Sequence, residues 1–179
     1  MTPRPTLANA LSLLRPVVAL PAAWCVIEGQ WPAAGGLLAV AVLSDLADGP
    51  IARHRGEDST LGGLLDHGCD AIFVTIVLSA LAIVAVVPPL LPVLVVVSFA
   101  QYVADSNALS GQRLRTNKLG RCNGIAYFIL PAACIVPEAL APGWVDKNWI
   151  TAASWLLIAS TLISMLDRLW TFLTLKRTT

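Results

Sequence analysis

Four aspartates stand out in a chain that otherwise carries few charges. The chain has 179 residues, of which 56% are hydrophobic and 13% charged. The four acids, here called the aspartate cluster, are Asp45, Asp48, Asp66 and Asp70. Within each pair the residues are three or four apart, so both side chains project from one side of a helix. Carboxylates in apolar surroundings need a cation, and hard divalent ions prefer oxygen ligands, so the cluster predicts a divalent-metal site.

The elements that must position these acids are membrane helices. Six apolar segments approach or reach the length that spans a bilayer. They are Leu11 to Ile27, Ala33 to Pro50, Leu61 to Val87, Pro89 to Ser106, Cys122 to Val136 and Ile150 to Phe172. The sequence therefore predicts an all-α integral membrane protein with six transmembrane helices. Without repeats or long loops, residues 1–179 are expected to form a single membrane domain.

The opening residues predict one further element. Leucines at positions 7, 11 and 14 alternate with the polar residues Asn9 and Ser12. This pattern is typical of a short amphipathic helix along the membrane surface. We therefore expect an N-terminal juxtamembrane helix, and the alternative is the beginning of the first span.

The distribution of basic residues predicts the orientation. If all six segments span, both termini and the second and fourth loops lie on one side. Of the twelve basic residues, all except Lys147 fall on that side. This positive-inside pattern places the termini and the aspartate cluster at the cytoplasmic face, most simply of the cytoplasmic membrane.

The loop between the second and third spans brings the acids together. Gly56 can end the second helix, and Asp58, Ser59 or Thr60 can cap the third. A tight hairpin then sets the end of one helix beside the start of the next. The two aspartate pairs are therefore expected to converge.

The spacing of the cysteines and histidines does not favour a zinc site. His67 and Cys69 are two residues apart, which aims them at different helix faces and suits zinc poorly. The cysteines lack close CxxC spacing, so all four are expected to be buried small residues. They are Cys25, Cys69, Cys122 and Cys134.

Small and basic residues flank the acids at fixed spacing. Asp45 and Asp48 are followed by Gly49, Ala52 and Arg53 and, after eight more residues, by Gly62, Asp66 and Asp70. Small residues allow a ligand to approach the backbone or, alternatively, only let helices pack closely. Arg53 is suited to bind a phosphate bidentately or, alternatively, to anchor the helix as a positive-inside charge.

The whole pattern resembles the signature of the CDP-alcohol phosphotransferase family. The resemblance implies transfer of a substituted phosphoryl group, most simply phosphatidyl, from a CDP-linked donor such as CDP-diacylglycerol. An acceptor alcohol receives the group and CMP is released, in phospholipid biosynthesis. A homodimer is implied, and no nucleic-acid partner is expected.

The resemblance also implies roles for individual residues. Two Mg²⁺ or Mn²⁺ ions would be held by the aspartate cluster. Asp70 would in addition deprotonate the acceptor hydroxyl. The CDP pocket would be lined by Asp48, Gly49, Ala52, Arg53 and Gly62.

The acceptor is predicted from two further stretches. The residues from Asn9 to Arg15 resemble the Asn-x-Leu-Thr-Leu-x-Arg opening of phosphatidylglycerophosphate synthases. Basic residues that can bind a phosphorylated acceptor, or that only set the topology, are Arg113, Arg115, Lys118 and Arg121. Glycerol 3-phosphate is therefore the preferred acceptor.

Alternatives to this acceptor, and to the enzyme class, remain open. The glycerophosphate synthases usually carry a lysine after the last aspartate, where this chain has Ala71. Inositol phosphate, serine, and choline- or ethanolamine-type reactions are the alternatives. A cation transporter is the alternative of another class, because acids within membranes often mark ion paths. Near the cytoplasmic side, Asp105 can line an acceptor cavity, and Asp167 with Arg168 can form an interfacial charge pair.

Overall fold

The computed structural model describes residues 7–56, 60–105 and 118–175. In these ranges the chain forms six helices and no strand. The helices are α1 (Leu7–Ile27), α2 (Trp31–Arg55), α3 (Thr60–Ile83), α4 (Leu90–Asp105), α5 (Lys118–Leu140) and α6 (Lys147–Leu175). The predicted all-helical architecture is confirmed.

Length and composition make this an integral membrane protein. Five of the helices are long and apolar enough to cross a bilayer, and α4 is a shorter apolar helix. With 16 residues, α4 is about 24 Å long at 1.5 Å per residue. Large apolar side chains lie on the outside of the bundle, for example Val17 at 68% and Leu20 at 67% exposure. Such a surface is suited to lipid.

The helices pack around α1 and α3. Helix α1 lies against both α2 and α3, while α5 packs on α2 and α6, and α4 packs between α3 and α6. Alanines such as Ala19 and Ala34 are fully buried, and small residues let membrane helices approach closely. Helix α3 contributes the larger buried side chains, including Phe73, whose ring stacks on Phe128 with centroids 6.0 Å apart. This packing fixes the rotation of α1 and α3 about their axes.

The expected N-terminal surface helix is not a separate element. Helix α1 begins at Leu7 and continues without a break to Ile27. Ser12 and Arg15 are buried inside the bundle, so this stretch packs against α2 and α3. The opening residues are therefore the first turns of α1, which was the alternative interpretation.

The predicted hairpin between α2 and α3 is present in its described part. Gly56 adopts a left-handed conformation with φ of 62° and ends α2, its amide donating to the carbonyl of Arg53 at 3.2 Å. Helix α3 starts at Thr60. The other proposed caps, Asp58 and Ser59, lie outside the described residues.

The cysteine prediction holds at three positions and is wrong at the fourth. Cys25, Cys69 and Cys134 are buried, whereas Cys122 is exposed. Cys122 lies in the second turn of α5, where the neighbouring Arg121 is also exposed. Apolar side chains on the outer face of a membrane helix do not need protein contacts, so residue type alone did not reveal this orientation.

Candidate active site

The aspartate cluster converges at one end of the bundle. Asp45 and Asp48 lie in the last three turns of α2, and Asp66 and Asp70 lie in the first three turns of α3. Carboxylate oxygens of Asp45, Asp48 and Asp66 all lie within 4.8 Å of one another. Asp70 belongs to a second such group, with Asp66 and His67. The hairpin therefore brings the two pairs together as the sequence predicts.

The cluster is open on one side. The side chain of Asp48 is only 7% exposed, whereas Asp45 is 38% exposed. Asp66 and Asp70 are partly exposed. A ligand can therefore reach these carboxylates from the end of the bundle, while Asp48 forms the floor of the site.

Arg15 of α1 lies at the centre of the cluster, where the sequence did not place it. Its side chain is fully buried and its guanidinium contacts all four aspartates. Nη1 binds Asp45 Oδ1 at 2.9 Å and also binds Asp70 Oδ1. Nη2 binds Asp48 Oδ2 and Asp66 Oδ1. Each terminal nitrogen thus joins one acid of α2 to one acid of α3.

Ser12 is the second residue that sequence reasoning missed. Its hydroxyl lies 3.0 Å from Asp48 Oδ2 and 3.3 Å from Asp66 Oδ1, the same two oxygens that Arg15 Nη2 contacts. Ser12 and Arg15 are three residues apart, which places both on one face of α1. That spacing, inside an apolar helix, was the available signal. The sequence pattern alone indicates a family resemblance that includes Ser12 and Arg15 and a positive-inside charge at Arg15, and it does not place either residue among the acids.

The residues predicted to line the CDP pocket follow the acids along the same helices. Gly49, Ala52 and Arg53 lie on α2 after Asp48, and Gly62 lies on α3 one turn before Asp66. The Arg53 guanidinium lies over Gly49, because a Cβ added to that glycine would be 3.4 Å from Arg53 Nη1. Arg53 is exposed and so is accessible to a phosphate.

A cation from α6 contacts an aromatic ring near His67. The guanidinium carbon of Arg168 lies 5.2 Å from the centre of the Tyr102 ring. The Tyr102 ring is in turn 6.0 Å from that of His67, the neighbour of Asp66. Nε and Nη1 of Arg168 and the Tyr102 hydroxyl are buried without a hydrogen-bond partner among the described residues. The sequence predicted Arg168 only as an interfacial charge.

The remaining predicted acceptor residues are only partly described. Lys118 and Arg121 are exposed at the start of α5. Arg113, Arg115 and the side chain of Asp105 lie outside the described residues. Of the four basic residues predicted to bind the acceptor, the structure therefore describes two, both exposed at the start of α5.

The donor chemistry of the cluster fits hard divalent ions. The first group of close donors consists of carboxylates alone, and the second adds His67 to two carboxylates. Oxygen ligands of this kind suit Mg²⁺ and Mn²⁺. The two groups share Asp66.

The fold and the site define a class: a helical membrane protein with a carboxylate site at one end of its bundle, bordered by arginines. Comparison with known proteins places the chain within that class. The family model of the CDP-alcohol phosphatidyltransferases matches residues 5–166. The chain belongs to the CDP-alcohol phosphatidyltransferase family, as the aspartate spacing predicts.

Two curated proteins are similar to the chain. A human cardiolipin synthase (CMP-forming) is 30% identical over 158 residues, and its rat counterpart is 29% identical over the same length. Each alignment covers 88% of this chain and 50% of the relative, so the chain spans about half the length of the curated relatives it matches. No solved structure matches at comparable significance.

Proposed function

We propose that this chain transfers a phosphatidyl group from CDP-diacylglycerol to an acceptor alcohol and releases CMP in phospholipid biosynthesis. The observation that carries the proposal is the convergence of the aspartate cluster at an accessible end of a membrane bundle. Family membership over residues 5–166 supports the same reaction class. The membrane location suits a donor with two acyl chains.

The cluster supplies the ligands and the base for this reaction. All four aspartates would hold two Mg²⁺ or Mn²⁺ ions, which supply positive charge beside the diphosphate while CMP leaves. Asp70 accepts the proton of the acceptor hydroxyl. The acceptor oxygen then bonds to the phosphorus that carries the diacylglycerol, and the bond from that phosphorus to CMP breaks. No covalent intermediate on the protein is needed.

The nucleotide end of the donor is assigned to the α2 side of the site. Arg53 is exposed and presents a planar group of donors suited to a phosphate. Gly49, Ala52 and Gly62 keep the adjoining backbone uncovered, and Asp48 lies directly before this stretch. CDP would therefore lie along the end of α2, with its diphosphate toward the aspartate cluster.

The preferred acceptor is glycerol 3-phosphate. Buried nitrogens without a hydrogen-bond partner are costly, and Nε and Nη1 of Arg168 have none among the described residues, so Arg168 is suited to receive an anionic group. Its guanidinium carbon lies 5.2 Å from the centre of the Tyr102 ring, and that ring lies 6.0 Å from the ring of His67, the neighbour of Asp66. We therefore assign the acceptor phosphate to Arg168 and the acceptor hydroxyl to Asp70.

The similarity to cardiolipin synthases favours a second acceptor. Cardiolipin carries two phosphatidyl groups on one glycerol, so a CMP-forming synthase of this lipid adds a phosphatidyl group to phosphatidylglycerol. Phosphatidylglycerol and glycerol 3-phosphate both present glycerol hydroxyls beside a phosphate. Arg168 on α6 suits either acceptor, and separate assays with each acceptor distinguish them.

We also propose a cytoplasmic orientation of the site and a homodimer.

The test is CMP release by purified protein with CDP-diacylglycerol and Mg²⁺ or Mn²⁺. Glycerol 3-phosphate, phosphatidylglycerol, inositol phosphate, serine and choline are supplied in separate reactions. CDP-choline with diacylglycerol is the alternative donor pair. Turnover with one acceptor and CDP-diacylglycerol supports the proposal and identifies the substrate.

Two matched variants establish where the chemistry occurs. Asp70→Asn should abolish turnover, because an amide cannot accept the proton. Asp146→Asn makes the same change beyond α5, where the Asp146 side chain accepts a hydrogen bond from the Asn148 amide at 2.9 Å. This variant should leave turnover unchanged because asparagine caps equally well. Absence of turnover with every donor and acceptor, together with metal uptake into vesicles, would establish the transporter alternative instead.

A further inference from the structure

Arg15 and the proposed divalent ions need the same carboxylates. The guanidinium contacts one oxygen of every carboxylate in the aspartate cluster. The close group formed by Asp45, Asp48 and Asp66 is also the donor set that would surround an ion. An ion at about 2.0–2.2 Å from these oxygens would lie between the same carboxylates as Nη1 and Nη2.

Electrostatic repulsion makes it unfavourable for Arg15 and a divalent ion to bind the same carboxylates at the same time. Arg15 is always protonated at neutral pH, and its side chain is fully buried. A guanidinium and a dication on the same carboxylates, away from water, repel each other with little screening. Because one guanidinium balances only one of four negative charges, the cluster would still attract dications.

We propose that Arg15 is a built-in counter-ion of the aspartate cluster and that divalent ions bind in competition with it. This inference rests on the proposed metal site. Arg15 stabilises the cluster when divalent ions are scarce, by joining α1 to the acids of α2 and α3. Metal binding displaces the guanidinium from at least part of these contacts, so Arg15 lowers the metal affinity of the site. Arg15 is thus a positioning residue for the acids.

Ser12 is the other residue of α1 that contacts these carboxylates. Its hydroxyl contacts the two oxygens shared with Nη2 and also lies 3.2 Å from the carbonyl of Ala8. A hydroxyl carries one proton, so it can satisfy only one of these acceptors at a time. Ser12 therefore cannot replace Arg15 as the counter-ion, and the competition depends on Arg15 alone.

The experiment measures Mn²⁺ binding by the full chain without any CDP-linked donor. Wild type, Arg15→Met, Arg15→Lys and Arg55→Met are purified in detergent, stripped with EDTA and titrated with Mn²⁺, whose free concentration is followed by electron paramagnetic resonance. Arg55 is exposed in the last turn of α2, so its variant removes the same charge outside the cluster. Thermal unfolding of each protein is recorded with EDTA and with saturating Mn²⁺.

Arg15→Met should bind Mn²⁺ at least about tenfold more tightly than wild type, equivalent to about 1.4 kcal/mol. It should also unfold at a lower temperature in EDTA and recover with Mn²⁺. Arg15→Lys, with a single ammonium that cannot reach all four acids, should shift the affinity in the same direction by less. Arg55→Met should change the affinity by less than about twofold, because exposed charges are screened.

Each alternative outcome has a distinct meaning. Equal or weaker Mn²⁺ binding by both Arg15 variants would overturn the competition while leaving the metal site intact. A wild type that binds no Mn²⁺ would overturn the metal site and this inference together. If Arg15→Met folds only when Mn²⁺ is present during purification, the counter-ion role is supported. If it folds in neither condition, the Mn²⁺ affinity of Arg15→Lys, compared with that of wild type, tests the competition instead.

Discussion

Replacing Gly49 with alanine tests whether the donor lies against the backbone of α2. Gly36 provides a matched control, because both glycines are interior residues of the same helix. An added Cβ at Gly36 meets nothing within 4 Å, whereas at Gly49 it lies 3.4 Å from Nη1 and 3.8 Å from Nη2 of Arg53. The two substituted positions therefore lie in the same helix but have different surroundings.

The expected magnitudes follow from these contacts. Alanine is favoured over glycine inside a helix by about 0.5–1 kcal/mol, so both variants should gain stability. In a chain of this size that corresponds to a rise in melting temperature of roughly 1–4 °C. The 3.4 Å contact is met by small movement of a flexible side chain, so Gly49→Ala should keep most of this gain.

Activity should separate the two variants. At Gly49 the methyl group displaces the Arg53 guanidinium and any ligand that touches the backbone, and a misplacement of about 1 Å costs up to about 10²-fold in rate. We expect kcat/KM for CDP-diacylglycerol to fall by about tenfold or more in Gly49→Ala and to remain unchanged in Gly36→Ala.

The assay is CMP release at varied donor concentration, with thermal unfolding measured on the same samples. Equal kcat/KM in the two variants would refute the close approach of the donor to Gly49. A loss of stability in Gly49→Ala alone would show that this glycine serves helix packing, which is the alternative interpretation of the small residues.

Three further predictions address the metal, the acceptor and the core. EDTA should abolish CMP release, and Mn²⁺ or Mg²⁺ should restore it; full activity in EDTA would contradict the metal role. Arg168→Met should raise KM for glycerol 3-phosphate at least about tenfold, because one charge-assisted contact is lost. KM for CDP-diacylglycerol should stay constant. A parallel rise in both KM values would indicate a structural role. Tyr127→Phe should lower the unfolding free energy by about 1 kcal/mol without changing kcat. Thr161 already donates to Leu157 at 2.7 Å, so Tyr127 is the donor in the 2.7 Å bond between the two hydroxyls; unaltered thermal unfolding would refute that assignment.

Local sequence is sufficient to predict the helices and the placement of each aspartate pair on one helix face. Long apolar segments specify membrane helices because their backbone polar groups must be satisfied within the segment. The spacings of Asp45 with Asp48 and of Asp66 with Asp70 place each pair on one helix face, and Gly56 ends α2 in a left-handed conformation. These properties are local, so they can be predicted without knowing how the helices pack. The same spacings carried the family resemblance.

Which other side chains join the site depends on how the helices pack against one another. Membrane helices are apolar on the lipid face as well as the buried face, so periodicity does not show which way a helix is rotated. The rotation of α1, set by its packing on α2 and α3, buries Arg15 and Ser12 among the acids instead of on a membrane surface. Packing of α4 on α6 likewise sets Arg168 over Tyr102. Contacts between residues far apart in sequence therefore supplied the cations of the site.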